Sequence, residues 1–432
     1  MPATVVIGGQ WGDEGKGRVV DLLARDVSII ARYSAGNNAG HTIINNLGTF
    51  ALHLVPAGIF YSDKTCIVGN GCAVDPAVLL EEIDSLESRN VSTEKLFVSN
   101  RAHVIMPYHS MIDQLDEKLR GAAAIGTTGR GVGPTFVDKV GRIGIRMGDL
   151  VDPEAFRERL SFVLPYKNAV LTKLYDAEPL NFEEVYGVYS EYAARLAPRV
   201  TDTSKIARDA IERGENILLE GAQGALLDLD SGTYDYVTSS VPSSTSAGAS
   251  IGIGIGPQDI NRVVGVFKAY MTRVGNGPMP TEQLNEEGNI LRISGPRPEV
   301  GVTTGRPRRT GWFDAVVSRY SASINSVTSV ALTRLDVLDV FPSIMVCTGY
   351  KIDGEVVDTP PASISAFNRV EPIYEEMPGW KTDCTHARKF DELPENAQRY
   401  VRRLGELIGK PIDIVSVGPE RDQVILTDGL LK

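Results

Sequence analysis

The chain has 432 residues, of which 42% are hydrophobic and 23% are charged, a composition that excludes disorder and leaves room for two or three domains or one large core. Its 44 Lys and Arg and 55 Asp and Glu give a net charge of −11, which opposes the basic surface that nucleic-acid binding needs. Four cysteines without CxxC spacing, a start without a signal-peptide pattern and the lack of a long apolar run predict a cytoplasmic protein with free thiols and no membrane span.

The first part of the chain alternates predicted strands and helices. Residues 4–7 predict a strand that leads through a glycine-rich loop into a helix at 16–25, and residues 28–33 predict a strand followed by the polar loop 35–42. Because ligands of open α/β sheets bind at such strand ends, we expect the two loops to form a site. The pattern next predicts a hairpin, a strand and a capped helix at 42–55, 65–71 and 75–89.

The rest of the chain predicts a helical insertion between further strands. From about residue 151 to 215, apolar residues recur three or four positions apart, as they do in helices. A strand and loop are predicted at 216–230, a helix at 396–409, and strands at 262–270, 328–336, 343–350 and 412–418. The sequence therefore predicts an α/β fold over residues 1–432, one large domain with a central, mostly parallel sheet flanked by helices.

The glycine-rich loop GGQWGDEGKG, at residues 8–17, has the features of an anion site. It lies between a predicted strand and a helix whose first amides lack partners, which stabilises phosphate groups. The loop is only P-loop-like, because five residues separate Gly9 from Gly15 and Gly17 replaces the magnesium-binding Ser or Thr. A simple tight turn is the alternative, but Asp13 and Lys16 within the loop favour a function.

The second loop contributes His41, one of five histidines in the chain. A loop histidine is often only solvated, yet an imidazole can exchange a proton near neutral pH. If the two loops meet at adjacent strand ends, Asp13 and His41 form a base and acid pair.

Three later segments are possible ligand contacts. Arg306, Arg308 and Arg309 follow two threonines, and guanidinium groups pair with carboxylates and phosphates, although an exposed basic run is the alternative. Asp336, at the end of a predicted strand, could accept from N1–H and the exocyclic amine of guanine, and the segment 416–418 could offer backbone amides to guanine O6. Ordinary turns remain the alternative for these two strand ends.

Six segments of this sequence closely resemble adenylosuccinate synthetases, and the resemblance runs from Val5 to about Leu426. They are GDEGKG at 12–17, NNAGHT at 37–42, GTTGRGVGP at 126–134, EGAQG at 220–224, YVTSS at 236–240 and TTGRPRRTGW at 303–312. The resemblance implies that GTP phosphorylates O6 of IMP and that the amino group of aspartate then displaces the phosphate. The implied products are adenylosuccinate, GDP and phosphate.

The resemblance also implies roles for individual residues. Asp13 would remove the N1 proton of IMP and bind Mg²⁺, with the Gly40 carbonyl as a second Mg²⁺ contact. His41 would donate a proton to the transferring phosphoryl group, and Lys16 would balance phosphate charge. GTP contacts are implied for Gly12, Asp13, Glu14, Gly15, Lys16, Gly17, Arg18, Gly40, His41, Thr42, Arg308, Arg334, Leu335, Asp336, Ser416, Val417 and Gly418. IMP contacts are implied for Asp13, Glu14, Gly15, Lys16, Asn38, Ala39, Gly40, His41, Thr128, Arg142, Gln223, Thr238 and Arg306. Aspartate contacts are implied for Val302, Thr303, Thr304, Gly305, Arg306, Pro307 and Arg308.

Arg142 matches an arginine that reaches IMP from the neighbouring subunit, so a homodimer is expected. Arg334 stands where similar enzymes commonly have lysine, and its stem can still pack along a guanine base. The main alternative is a guanine-nucleotide switch without net synthesis, which would need neither a base aimed at a purine nor an arginine-rich carboxylate loop. A nicotinamide dehydrogenase does not fit, because the glycine order in the first loop reverses the usual fingerprint.

Overall fold

The computed structural model describes residues 3–427 except 39, 46, 296–297, 301–304 and 306. Its β-strands are β1 Ala3–Gly8, β2 Ile29–Ala35, β3 His41–Asn45, β4 Gly48–Leu52, β5 Thr65–Val74, β6 Leu96–Ser99, β7 His103–Val104, β8 Val200–Thr201, β9 Ile217–Gly224, β10 Ile260–Lys268, β11 Met271–Arg273, β12 Arg309–Gly311, β13 Phe313–Asp314, β14 Ser329–Thr333, β15 Ser343–Ile352, β16 Glu355–Val357, β17 Glu371–Pro378, β18 Ile412–Ser416 and β19 Val424–Leu426. Its α-helices are α1 Lys16–Leu23, α2 Pro76–Glu87, α3 Pro107–Arg120, α4 Val132–Gly141, α5 Met147–Leu150, α6 Pro153–Tyr175, α7 Phe182–Leu196, α8 Thr203–Glu212, α9 Ala247–Ile253, α10 Glu286–Ile293, α11 Ala315–Ile324, α12 Ile364–Phe367 and α13 Glu395–Ile408.

The main sheet is central and almost entirely parallel, as the sequence predicts. Its strand order is β19-β18-β14-β10-β1-β9-β2-β5-β6-β8, and β7 pairs with β5. Among the described strand pairs of this sheet, only the edge pair β18–β19 is antiparallel. Because the strands run the same way, the loops after β1, β2, β9, β10, β14 and β18 leave the sheet at one edge.

Both faces of the main sheet are buried, which explains its nearly continuous apolar strands. Val5, Ile7 and Leu219 point into one hydrophobic cluster. Their neighbours Val6 and Leu218 point into a second cluster on the opposite face. This alternation follows from the two-residue repeat of a β-strand and fixes the register of β1 beside β9.

The predicted helical insertion is largely confirmed, with one correction. Helices α6, α7 and α8 occupy most of residues 151–215, but β8 lies among them and pairs in parallel with β6 at the sheet edge. A two-residue strand leaves no periodic signal, so the sequence pattern could not reveal it. Within the described residues, no helix is long and apolar enough to cross a membrane.

A smaller sheet accounts for the strand predicted at 343–350. That strand, β15, pairs with β13, β16 and β17 instead of joining the main sheet. The early hairpin is present as β3–β4, and α2 begins after Asp75, whose carboxylate accepts from the amides of Ala77 and Val78. The four cysteines are buried, and no disulfide joins them within the described residues.

Candidate active site

One cleft, with a volume of about 510 Å³, lies along the edge where the parallel strands end. Eighteen residues expected from the sequence line it: Gly12, Asp13, Glu14, Gly15, Lys16, Gly17, Arg18, Asn38, Gly40, His41, Thr128, Gln223, Thr238, Arg308, Arg334, Asp336, Ser416 and Gly418. The fold therefore brings together segments that are separated by up to about four hundred positions in the chain.

The first loop is built around the carboxylate of Glu14. This buried side chain accepts from the amides of Gln10 at 3.0 Å and Gly12 at 2.8 Å, and from Lys16 Nζ at 2.7 Å. Gly15 has φ of +92°, which favours glycine and turns the chain into α1. Glu14, expected to contact substrates, thus holds the loop together through its side chain.

Asp13 lies on the cleft wall beside the arginine-rich segment. Its side chain is 30% exposed, and its Oδ2 accepts from Nε of Arg308 at 2.7 Å. Burial alone would lower the pKa of Arg308, but Asp13 and Glu299 outweigh it and raise the pKa. The pair joins the first loop to the segment expected to bind aspartate.

His41 is held from behind by a buried carboxylate. Its Nδ1 contacts Oε1 of Glu220, which is fully buried and whose Oε2 accepts from the Ala57 amide at 2.8 Å. Burial and the charge of Arg32 lower the pKa of His41, whereas Glu220 opposes them. Because Glu220 occupies Nδ1, the other ring nitrogen is available toward the cleft.

Four residues expected to contact IMP through later segments line the cleft: Asn38, Thr128, Gln223 and Thr238. Gln223 donates to Asn38 Oδ1 at 3.2 Å, and in the described part of the chain the buried Gln223 Oε1 has no hydrogen-bond partner. The loop that carries Thr128 is fastened to α3, because Glu117 accepts from Gly126 at 2.7 Å and Asp113 accepts from Gly131 at 2.9 Å. Asn38, Gln223 and Thr128 can therefore position a polar ligand without a rearrangement of the core.

The expected guanine pocket contains an unsatisfied carboxylate. Asp336 is 8% exposed, and among the described residues neither of its buried oxygens receives a hydrogen bond from another residue. Burial raises its pKa, with Arg334 opposing. A buried acceptor pair without donors is costly, so a ligand that offers two N–H groups fits here.

Arg18 fixes the loop that follows β18. Its guanidinium donates to Ser416 Oγ at 2.6 Å, to the Gln423 carbonyl at 3.0 Å and to the carbonyls of Gly418 and Glu420. Arg18, expected to contact GTP, lines the cleft, and its guanidinium also holds this loop. Helix α1 is thereby tied to the guanine pocket.

The remaining expected residues lie elsewhere. Arg142 is exposed at the end of α4 and does not line the cleft, while the side chains of Leu335 and Val417 are buried in the core, so only their backbone can face a ligand. Gly305 and Pro307 are exposed and do not line the cleft. Ala39, Val302, Thr303, Thr304 and Arg306 lie outside the described residues, as does the side chain of Thr42.

Several cleft residues were not predicted from the sequence. Lys268, Arg273, Glu299 and Arg421 line the cleft, and Glu220 supports His41 from outside it. Lys268 ends β10, so a rule that collects polar residues at the ends of parallel strands could have found it, whereas Glu220 lies within β9. Glu299 belongs to none of the described strands or helices and gives no such signal.

Comparison with known proteins agrees with this geometry. A family model described as adenylosuccinate synthetase matches residues 5–425. Adenylosuccinate synthetases of Heliobacterium modesticaldum and Carboxydothermus hydrogenoformans are 52% and 51% identical to the chain, covering 98% and 99% of it and 99% of each relative. The structure of fully ligated adenylosuccinate synthetase from Plasmodium falciparum superimposes with a TM-score of 0.92 at 38% identity, covering 98% of this chain and 99% of that one.

Proposed function

This chain belongs to the adenylosuccinate synthetase family, and on that basis we propose how the residues of its cleft divide the reaction. The chain is a ligase that forms a carbon–nitrogen bond, joining L-aspartate to IMP at the expense of GTP in AMP biosynthesis. The alternative of a nucleotide switch without synthesis has no support from the comparisons.

The buried carboxylate of Asp336 carries the nucleotide assignment. Its two acceptor oxygens lack donors within the described chain, and guanine offers N1–H and the exocyclic amine where adenine offers no such pair. Ser416 and Gly418 flank this pocket and complete it, with the loop held by Arg18. GTP would then extend from Asp336 toward the P-loop-like first loop.

The first chemical step is assigned to Asp13 and His41. Asp13 takes the N1 proton of IMP, so that O6 attacks the γ-phosphorus of GTP, the new O6–P bond forms, and the bond to the β-phosphate oxygen breaks. His41 donates a proton to the transferring phosphoryl group from its imidazolium form, which the Glu220 carboxylate favours, and Lys16 and the loop amides balance the phosphoryl charge. GDP leaves and 6-phosphoryl-IMP remains.

The second step uses the arginine-rich segment that contains Arg306, Arg308 and Arg309. Arg308 faces the cleft and pairs with carboxylates in this structure, so we assign it to a carboxylate of the substrate aspartate. The amino group of aspartate attacks C6, the C6–O bond breaks, and phosphate leaves. Arg306 and Val302 to Thr304 are proposed contacts from the resemblance alone.

A magnesium ion fits this site only if substrates complete its coordination. The Asp13 carboxylate is partly exposed, Gly40 lines the same cleft, and the described residues contain no cluster of three or more His, Cys, Asp or Glu able to hold a metal. Mg²⁺ commonly takes few protein ligands and fills its octahedron with water and phosphate oxygens. When bound, it supplies charge neutralisation to the phosphates.

We also propose that the chain acts in the cytoplasm as a one-domain subunit of a homodimer. Arg142, matched to an IMP contact, is exposed at the end of α4, away from its own cleft. Nearby Val137 on α4 and Phe162 and Tyr166 on α6 are exposed by 58–68% and line one surface depression. Exposed apolar groups of this kind are typical of protein interfaces.

Two substitutions test the assigned chemistry. Asp13→Asn and His41→Asn should each lower kcat by about a hundredfold or more, because each removes a proton-transfer group. Equilibrium binding of IMP and GTP and the circular dichroism spectrum should remain close to those of the parent. A variant that binds both nucleotides and keeps the parent kcat would contradict the role of the substituted residue.

A further inference from the structure

Glu299 is a buried carboxylate to which the reaction scheme gives no role. It is 1% exposed and contacts four side chains from three other segments of the chain. Its Oε2 accepts from Lys268 Nζ at 2.9 Å and from Arg308, and its Oε1 accepts from the Tyr270 hydroxyl and lies 3.3 Å from Arg334 Nη2. Glu299 thus connects β10, the arginine-rich loop and the start of the guanine pocket.

Glu299 is ionised in this environment. Burial raises the pKa of a carboxyl, but the charges of Lys268, Arg334 and Arg308 outweigh burial and hold the pKa of Glu299 well below its usual range. Burial also lowers the pKa of Lys268 to about 8. A fixed negative charge at this point neutralises cations that would otherwise repel one another and move apart.

We infer that Glu299 is a positioning residue that sets Arg308 for aspartate and Arg334 for GTP at the same time. The inference rests on the proposed function, because it takes the ligands of those two arginines from it. The two oxygens divide the task, with Oε2 on the side of Arg308 and Oε1 on the side of Arg334. The two substrate sites therefore share one anchor, whereas the IMP contacts Asn38 and Gln223 do not touch it.

The geometry explains why this anchor matters for Arg308. Its Nε already holds Asp13 at 2.7 Å, and its Nη1 is held by Glu299. Without Glu299, Asp13 would be the only carboxylate still holding Arg308 within the described residues. The guanidinium would then be drawn toward the proposed base and away from an incoming substrate carboxylate.

Glu299→Gln tests the inference by a selective change in KM. We expect the KM for aspartate and the KM for GTP to rise by about tenfold or more, because each arginine loses a charged partner. The KM for IMP should stay within about twofold of the parent. A merely structural role would lower the active fraction and therefore kcat, with all three KM values unchanged, and that result would overturn the inference.

Tyr270→Phe provides a second variant that keeps the buried charge. The Tyr270 hydroxyl donates to Glu299 Oε1 and is also hydrogen-bonded to Arg334. Its loss should raise the KM for GTP by about threefold or more and leave the KM for aspartate near the parent value. If Glu299→Gln does not fold, the inference is tested by Tyr270→Phe alone. Unchanged KM values for GTP, aspartate and IMP in that variant would contradict the role of Glu299 as a shared anchor.

Glu282→Gln is the matched control, because Glu282 pairs with the neighbouring Arg309 at 2.8 Å and does not line the cleft. It should leave all three KM values near those of the parent. GTP affinity of each variant is also measured by calorimetry, which needs no turnover. A parent without product would contradict the proposed function, whereas a parent with product and a Glu299→Gln variant with unchanged GTP affinity and KM values would contradict this inference alone.

Discussion

At the residue scale, the reactive groups of the cleft are held in place by carboxylates that do not themselves react. Glu14 holds the first loop, and Glu220 holds His41. Such supporting contacts fix the orientation of a side chain before substrate arrives, which reduces the reorganisation needed during the reaction. Their loss should therefore reduce turnover more than binding.

Glu220→Gln tests this for His41. It keeps the shape of the side chain and an acceptor oxygen but removes the negative charge beside Nδ1 that opposes the lowered pKa of His41, so the imidazole holds the proton that it donates less well. We expect kcat to fall by about tenfold or more, with small changes in the KM values for IMP and GTP. The control is Glu82→Gln, because Glu82 contacts His53 Nδ1 at 3.1 Å outside the cleft. An equal fall in kcat in the two variants would contradict the prediction.

Asp314 gives a residue-scale prediction about stability. Burial raises its pKa to about 6, above the value of about 3.9 in an unfolded chain. The folded protein therefore binds this proton more tightly, so the contribution of Asp314 to the free energy of unfolding falls as pH rises from 4 to 6, by at most about 3 kcal/mol. Urea titrations between pH 4 and 6 should show that the free energy of unfolding of Asp314→Asn lacks this part of the pH dependence. The same change with pH in the parent and the variant would contradict the prediction.

At the element scale, the sequence predicts the strands and helices that carry periodic apolar residues and misses those that lack them. Strand β1 and helix α1 were predicted closely, because a β-branched run and a helical repeat flank the loop. Helix α4, with the sequence VGPTFVDKVG, contains two glycines and a proline, so its pattern gave no helix. Its place is determined by packing, with Val132 and Phe136 in a small buried cluster.

Helix α1 and the loop after β18 act as one unit through Arg18. Arg18→Met removes the donors to Ser416 and the neighbouring carbonyls, so the guanine pocket should lose its fixed shape. We expect the KM for GTP to rise by about tenfold, with the KM for aspartate little changed. Arg25→Met, at an exposed position just after α1, serves as the control, and equal GTP KM values in the two variants would contradict the prediction.

At the scale of the whole molecule, the sequence was most informative where ligands impose the residue type. Asp13, His41, Gln223 and Asp336 were all expected and all lie in one cleft. Glu299 was missed, because its environment is created by β10 and β14, which are distant in sequence. Long-range charge pairs of this kind are visible only after the sheet has assembled.

The proposed homodimer predicts complementation between two inactive variants. If Arg142 acts in the partner's cleft, a mixed dimer of Asp13→Asn and Arg142→Ala has one complete site. After subunit exchange, an equal mixture should recover about a quarter of the parent activity. A mixture of Asp13→Asn and His41→Asn should recover none, because both residues belong to the same subunit's site, and no recovery in the first mixture would contradict the shared site.

The central claim is that this cleft joins aspartate to IMP with GTP. The most direct measurement is ultraviolet-monitored formation of adenylosuccinate with IMP, GTP, aspartate and Mg²⁺, omitting each component in turn. We predict product only when all four are present, together with one GDP and one phosphate for each adenylosuccinate. GTP hydrolysis without adenylosuccinate, or binding of both nucleotides without any turnover, would contradict the account.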